Sequence, residues 1–360
     1  MAKTPPKPKK QKGQIFNATA NINSYLSKKH PSLTDKPVPI ESIPTGCLLL
    51  DSILPYGGLP FGSVAELYGP PSVGKTSIAI QSCASAAKYF KTHKIESQIL
   101  YLNSEAPIDR IYAKSMGVDF DGPMFKLIDV SSIEQTRDIL KNTIAGFRYV
   151  VIDSPASLMP EKELEELDEY KTEHLRSQKL TSFFRHVEQL AKNYRVAVLC
   201  PNQNRSKGDR NGGFHEDSAG PKHQKHGAAL RIALAIGAQI TEGEDKVLTH
   251  LKTTATITKN KYGPRNQAVK FYLKNSGGYD NYLSAIEHAI EDAKLIQKQG
   301  DSDKFVLTRG LAKASSEPLS RKELLSLFEK PEHSADREIL ESRFALNLKM
   351  PAKAGKGIAP

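Results

Sequence analysis

The residues best suited to chemistry lie in one octapeptide. Gly69 to Thr76 reads GPPSVGKT and fits G-x-x-x-x-G-K-[ST], between a predicted strand and a predicted helix. In that pattern the glycines let backbone N–H groups wrap phosphate oxygens, the lysine neutralises β- and γ-phosphates, and the hydroxyl can bind Mg²⁺ at a helix N-terminus. The candidate nucleotide-binding residues are therefore Gly69, Pro70, Pro71, Ser72, Val73, Gly74, Lys75, Thr76 and Ser77, with Thr76 also a candidate metal ligand. A magnesium-bound triphosphate also needs a carboxylate at the end of a neighbouring buried strand. The run YVVID puts Asp153 there, although an Asp ending an apolar strand can also cap a helix or turn. Hydrolysis needs a group that orients or deprotonates water, and Glu105, closing QILYLNSE, is the candidate base. Its plain alternative is a solvated acid in a surface loop. The guanine-reading NKxD pattern does not occur, so ATP with Mg²⁺ is the expected cofactor.

Such a site needs a sheet that delivers several strand ends to one edge. Apolar runs, VAELYG from Val64, QILYLN from Gln98, FKLIDV from Phe125, YVVID from Tyr149 and RVAVLC from Arg195, alternate with amphipathic helical stretches. This alternation predicts an α/β fold with a mostly parallel sheet and flanking helices. Leu180, Phe183, Phe184, Val187, Leu190, Ala191 and Tyr194 share one helical face, and Ser132 with Gln135 forms a capping box for another helix. After Ala255 the runs ATITKN and AVKFYLKN, each followed by a turn, predict an antiparallel extension of the sheet. From about Tyr282 the pattern is mostly helical, with helices expected at Ala285 to Gln297 and Arg321 to Phe328 in a small C-terminal lobe.

The expected organisation is a basic N-terminal tail and oligomerisation segment over 1–40, a core over 41–280, a small lobe over 281–345 and a flexible basic tail over 346–360. The ends are rich in Lys, Pro, Gly and Ala and poor in large apolar groups, too poor to repay ordering. Of 360 residues 39% are hydrophobic, no apolar run approaches a membrane span, and no h-region follows the basic N-terminus, so a cytoplasmic protein is expected. Cys47, Cys83 and Cys200 lie far apart without a CxxC pair, which argues against a zinc site or a disulfide framework. A net charge of +11 favours a polyanionic partner, with nucleic acid the first expectation.

The run from Ser42 to Thr76, SIPTGCLLLDSILPYGGLPFGSVAELYGPPSVGKT, resembles the bacterial RecA recombinase family, and the likeness continues through NSEAPIDRIYAKSMGVD, VVIDSPASLMP, PNQ and ITKNKYGP, spanning roughly residues 40 to 275. The resemblance implies a RecA-type P-loop ATPase core that coats single-stranded DNA as a homo-oligomeric helical filament, pairs it with homologous double-stranded DNA and exchanges strands in recombination and repair. Single-strand-binding and mediator proteins are further implied partners. It also implies that Glu105 is the catalytic glutamate, that Asp109 and Tyr112 contact adenine, and that Gln203 senses the γ-phosphate. Lys259 and Lys261, in TKNK, would reach a neighbour's ATP and supply transition-state charge in trans. Their plain alternative is a pair of solvated lysines on an exposed strand.

Between Asn204 and Gly227 lies a polar segment, well above usual loop length, where the family carries its second DNA-binding loop. Arg205, Lys207, Arg210, Lys222 and Lys225 are the candidate phosphate contacts and Phe214 the candidate wedge between bases. Arg185 aligns with a family DNA contact and Gly227 with a family glycine, whereas His226 stands where the family has another glycine. The first DNA loop, after Pro160, reads EKELEELDEYKTEH and is acidic, so no DNA contact is expected there. It could serve as an interaction surface or as a helix that shields DNA from nonspecific capture. The basic C-terminal tail departs from the family's acidic one. Both departures suit a phage-encoded member acting in its host's cytoplasm. Two rival readings fit the same sequence: a hexameric RecA-fold helicase or motor, and a RecA-like ATPase with no DNA substrate.

Overall fold

The computed structural model describes residues 40–165, 169–208, 214–218, 227–242, 246–291, 296–298, 304–307 and 319–320. The chain divides into two compact units, Met1–Ile40 and Glu41–Pro360, and every element below belongs to the second. Its first part runs β1 (Ser42–Ile43), α1 (Leu48–Ile53), β2 (Leu59–Pro60), β3 (Ser63–Gly69), α2 (Lys75–His93) and β4 (Gln98–Asn103). Then follow α3 (Arg110–Ser115), β5 (Phe125–Asp129), α4 (Ile133–Thr143), β6 (Phe147–Asp153), α5 (Glu161–Glu165), α6 (Glu169–Tyr194), β7 (Ala197–Gly208) and β8 (Phe214–Ser218). The chain continues with β9 (Leu230–Glu242), β10 (Val247–Asn260), β11 (Ala268–Lys274), β12 (Tyr279–Asp280) and α7 (Asn281–Glu291). Three short strands close the described residues: β13 (Ile296–Lys298), β14 (Lys304–Leu307) and β15 (Leu319–Ser320).

The main sheet has the order β12-β11-β10-β9-β3-β7-β6-β4-β5 among the described residues. From β9 to β5 all neighbours are parallel, while β10, β11 and β12 add on antiparallel. The α/β fold with a mostly parallel sheet and an antiparallel extension is thus as expected. Side chains on a strand alternate between faces, and β6 shows what that builds. Tyr149 and Val151 join the core under α2 with Ile78, Ile80 and Phe90, whereas Val150 and Ile152 join Leu140 of α4 and Phe183, Phe184 and Val187 of α6. Each such side chain fully removed from water contributes about 1.5–3 kcal/mol. Cys47, Cys83 and Cys200 are buried and free, and burial pushes all three thiols up, which leaves them inert. No helix among the described residues is long and apolar enough to cross a membrane.

Several expectations are corrected. Tyr194 ends α6 exposed, because the helix stops there and its carbonyl accepts from Arg148 Nη1. Ser132 Oγ accepts from the Gln135 N–H at 2.9 Å, but the Gln135 side chain reaches back to Ser131 N rather than to Ser132 N. The helix expected at Ala285 to Gln297 begins earlier, at Asn281, and Ile296–Lys298 is instead a strand, because it pairs antiparallel with β14. The lobe expected to be mostly helical therefore holds a small antiparallel sheet, β13-β14-β15, and the helix expected at Arg321 to Phe328 lies outside the described residues. The segment expected as one long loop after Asn204 is partly a hairpin, with β7 and β8 paired from Asn204 opposite Ser218 to Gly208 opposite Phe214. The acidic stretch after Pro160 is helical where described, as α5 and the start of α6. Finally, β9 was not anticipated; it inserts between β3 and β10 and joins the parallel and antiparallel parts.

Asp51 gives the fold a pH dependence. Its carboxylate, buried beneath the turn before α1, accepts from Thr45 N at 2.8 Å, Thr45 Oγ1 at 2.7 Å and Gly46 N at 3.1 Å. Burial outweighs these donations and pushes its pKa from 3.8 up to about 7. A raised folded pKa means that the folded state holds the proton where the unfolded chain has lost it. Stability from this group is therefore full below the unfolded value and lost as pH rises through the folded one, with a slope approaching about 1.4 kcal/mol per pH unit. In thermal melts the advantage of the parent protein over Asp51→Asn should grow as pH falls from about 7 to about 5. A difference that stays flat across that range contradicts this account.

Candidate functional site

The phosphate loop is built by burial on one side and backbone conformation on the other. β3 is buried along its whole length and ends at Gly69, and α2 opens at Lys75. Between them Val73 is buried, while Ser72 (φ 59°) and Gly74 (φ 92°) take left-handed conformations that curl the loop around its own amides. At Gly74 the left-handed φ favours glycine, and a Cβ there would also displace the Leu273 side chain, 2.2 Å away at Cδ1. Lys75 Nζ folds over the loop and donates to the carbonyls of Gly69 (3.0 Å) and Pro70 (2.7 Å). Burial lowers its pKa, and the carboxylates of Glu105 and Asp153 oppose that shift.

Asp153 ends β6, almost wholly buried. Its Oδ2 accepts from Thr76 Oγ1 at 3.0 Å and from Tyr101 Oη at 2.6 Å. Burial raises its pKa, with the Glu105 charge adding to the rise and the two hydroxyl donations opposing it. Thr76 and Asp153 together present hard oxygen donors, a set that suits Mg²⁺, which keeps several waters and takes few protein ligands beside substrate phosphates. Among the described residues no cluster of three or more His, Cys, Asp or Glu forms an all-protein metal cage.

Glu105 follows the end of β4 by two residues and is exposed. Ser104 pins this segment to β6, its N–H donating to Asp153 O at 2.7 Å and its hydroxyl to Ser154 O at 2.6 Å. Glu105 Oε1 then accepts from Ser154 Oγ at 2.7 Å, Gln203 Nε2 at 3.3 Å and Ser157 Oγ at 3.5 Å. Gln203 stands opposite Gly69 in the β3–β7 register, so catalytic-base candidate and phosphate loop meet across neighbouring strand ends. A cavity of about 200 Å³ is bounded by Thr76, Asn103, Glu105, Asp109, Tyr112 and Asp153. Asp109 Oδ1 accepts from Ile111 N (2.8 Å) and Tyr112 N (3.1 Å) and so caps α3, while Tyr112 Oη and Ser77 Oγ lie 2.7 Å apart. The structure thus brings Lys75, Thr76, Ser77, Glu105, Asp109, Tyr112, Asp153 and Gln203 together. Tyr101, Ser154 and Ser157 were missed. The only sign of them is a hydroxyl interrupting the apolar runs YLN and IDSPAS.

The remaining candidates lie elsewhere in the fold. Lys259 is near the end of β10, opposite Arg231 of β9, and its pKa is lowered by burial and by the charges of Lys261 and Arg231. Lys261 Nζ donates to Gly227 O at 3.0 Å. Gly227 presses on α6, where a Cβ would come within 1.4 Å of Glu188 Oε1, and Arg185 is exposed on the same helix. Arg205 and Lys207 fall on β7 and Phe214 on β8, so the hairpin carries all three. Arg210, Lys222 and Lys225 lie outside the described residues.

Comparison with known proteins shows what the chain is similar to. Residues 18–280 match the family model described as the RecA N-terminal domain. The chain is similar to Protein RecA of Saccharopolyspora erythraea, 31% identical over 266 residues covering 73% of each chain. It is also similar to Protein RecA of a Nitratiruptor species, 32% identical over 74% of this chain and 76% of the relative, and to that of Leifsonia xyli, 28% identical over 82% and 81%.

Proposed function

The chain belongs to the RecA family and is a RecA-type recombinase, and on that premise we propose that ATP turnover at the Lys75–Asp153–Glu105 cluster drives a filament on single-stranded DNA through homologous pairing and strand exchange. The observation that carries this reading is the path of β7. One strand holds Gln203 against the Glu105 carboxylate and then, within a few residues, becomes the hairpin that bears Arg205, Lys207 and, on β8, Phe214. Nucleotide state and DNA contact then share one piece of backbone.

In this mechanism Lys75 and the loop amides hold the triphosphate, Thr76 and Asp153 hold Mg²⁺, and Asp109 and Tyr112 border the base. Mg²⁺ held by Thr76 and Asp153 would supply charge neutralisation to the triphosphate. Glu105 accepts the proton of the attacking water at its carboxylate, held in place by Ser154, Ser157 and Gln203. Lys259 and Lys261 serve a neighbouring subunit's site, so that hydrolysis requires assembly. Arg185, Gly227 and the hairpin side chains line the DNA path, and Arg210, Lys222 and Lys225 are further phosphate contacts by residue type. Single-stranded and double-stranded DNA are the substrates, and single-strand-binding and mediator proteins are the natural accessory partners.

The test is negative-stain microscopy with a slowly hydrolysed ATP analogue, with and without long single-stranded DNA, alongside steady-state turnover. Extended DNA-dependent helical filaments and DNA-stimulated turnover are expected, weakening steeply with salt because the contacts are to phosphate. Closed rings would transfer the reading to a motor. Small particles with turnover indifferent to DNA would leave an ATPase without a DNA substrate.

A further inference from the structure

A carboxylate sits where the fold should not tolerate one. Glu66 lies in the middle of β3, a strand buried at every position, and is itself 0% exposed. A buried charge is costly unless it is paired and its lone pairs are satisfied. Glu66 Oε2 accepts from Arg231 Nε at 2.6 Å and Oε1 from Asn202 Nδ2 at 2.8 Å. The two partners lie on the strands flanking β3, Asn202 on β7 and Arg231 on β9.

Each partner leads onward. Asn202, wholly buried, uses its Oδ1 to accept from Gln203 N at 2.9 Å, and Gln203 Nε2 donates to Glu105. On the other side the Arg231 guanidinium sits over the Tyr68 ring, 4.6 Å from its centroid. Tyr68 Oη donates to Thr258 Oγ1 at 3.0 Å, and the next residue, Lys259, stands opposite Arg231 in the β9–β10 register. One carboxylate therefore links the strand end that holds Glu105 to the strand end that carries Lys259.

We propose that Glu66 is a positioning residue for hydrolysis: through Asn202 it fixes the Gln203 backbone, and so the amide that holds Glu105, while through Arg231 it anchors the same assembly to the Lys259 edge. The assignment rests on the reading of Glu105 as the base. A purely structural ion pair would alter melting and the amount of active protein, and it would act independently of Gln203. A positioning residue acts through Gln203 and lowers kcat while leaving ATP binding alone.

The experiment is a double-mutant cycle in ATP turnover at saturating single-stranded DNA, with Glu66→Gln and Asn202→Ala each made alone and with Gln203→Ala. Each single change should lower kcat about tenfold with KM for ATP changed less than about twofold, and should add less than about twofold in the Gln203→Ala background. Equal, multiplying effects in both backgrounds overturn the proposal, as does an unchanged kcat. If Glu66→Gln melts below the assay temperature, Asn202→Ala decides, since it leaves the Glu66–Arg231 pair in place. Glu105→Gln, run alongside, separates the two readings. Unchanged turnover there sinks the base assignment, whereas lost turnover with multiplying effects in the cycle sinks only the role of Glu66.

Discussion

Lys75→Ala is expected to lower ATP turnover by about 10²–10³-fold, the cost of removing one preorganised donor from developing transition-state charge. The ammonium is half-buried, and burial alone would favour its loss of a proton. The carboxylates of Glu105 and Asp153 oppose that loss. An alanine keeps the loop's glycines and amides but removes the ammonium that sits between the phosphates and the carboxylates of Glu105 and Asp153. Nucleotide affinity should therefore fall as well, measured by titration with a fluorescent ATP analogue, and DNA-dependent filaments should fail to form. Turnover close to that of the parent would mean that the phosphates bind elsewhere.

Glu105→Gln is expected to separate binding from chemistry. The amide is nearly isosteric and its carbonyl oxygen can still accept from Ser154, Ser157 and Gln203, which hold the carboxylate now. What disappears is the capacity to take a proton, a contribution of about 10²–10⁴-fold to rate. Phosphate release should fall within that range while ATP affinity changes only a few-fold. Filaments on single-stranded DNA should form with ATP itself and persist, since turnover no longer clears the nucleotide. Filaments that dissolve as quickly as those of the parent would remove Glu105 from the role of base.

The parts of the site legible in sequence are those whose chemistry is tied to local order. Lys75 and Thr76 follow a glycine loop at fixed spacing, and Asp153 ends an unbroken apolar strand, so residue type and position imply one another. Glu105 was visible by type, but its setting was not, because Ser154 and Gln203 reach it from 49 and 98 residues away. The Glu66 network was hidden for the same reason, with partners 136 and 165 residues distant. Its one local sign is an acid in VAELYG, a strand otherwise without charge. Strand β9 escaped because ALRIALAIGA is rich in alanine and leucine, residues that favour helix, and pairing with β3 and β10 overrides that preference. Ile296 to Lys298 turns into a strand for a related reason: three residues, IQK, are too few to declare a period, and the partner strand decides.

Strand β7 passes from the buried centre of the sheet, past Gln203, into the β7–β8 hairpin without a break. On the proposed reading, the geometry that β7 takes at Glu105 is passed along the same strand to the hairpin. Whatever factor ATP contributes to the grip on DNA, DNA must contribute to the grip on ATP, because linked equilibria are reciprocal. On the proposed reading ADP, which lacks the γ-phosphate, would forfeit that factor at both ends. Release of the strand and loss of nucleotide affinity are then one event measured in two places.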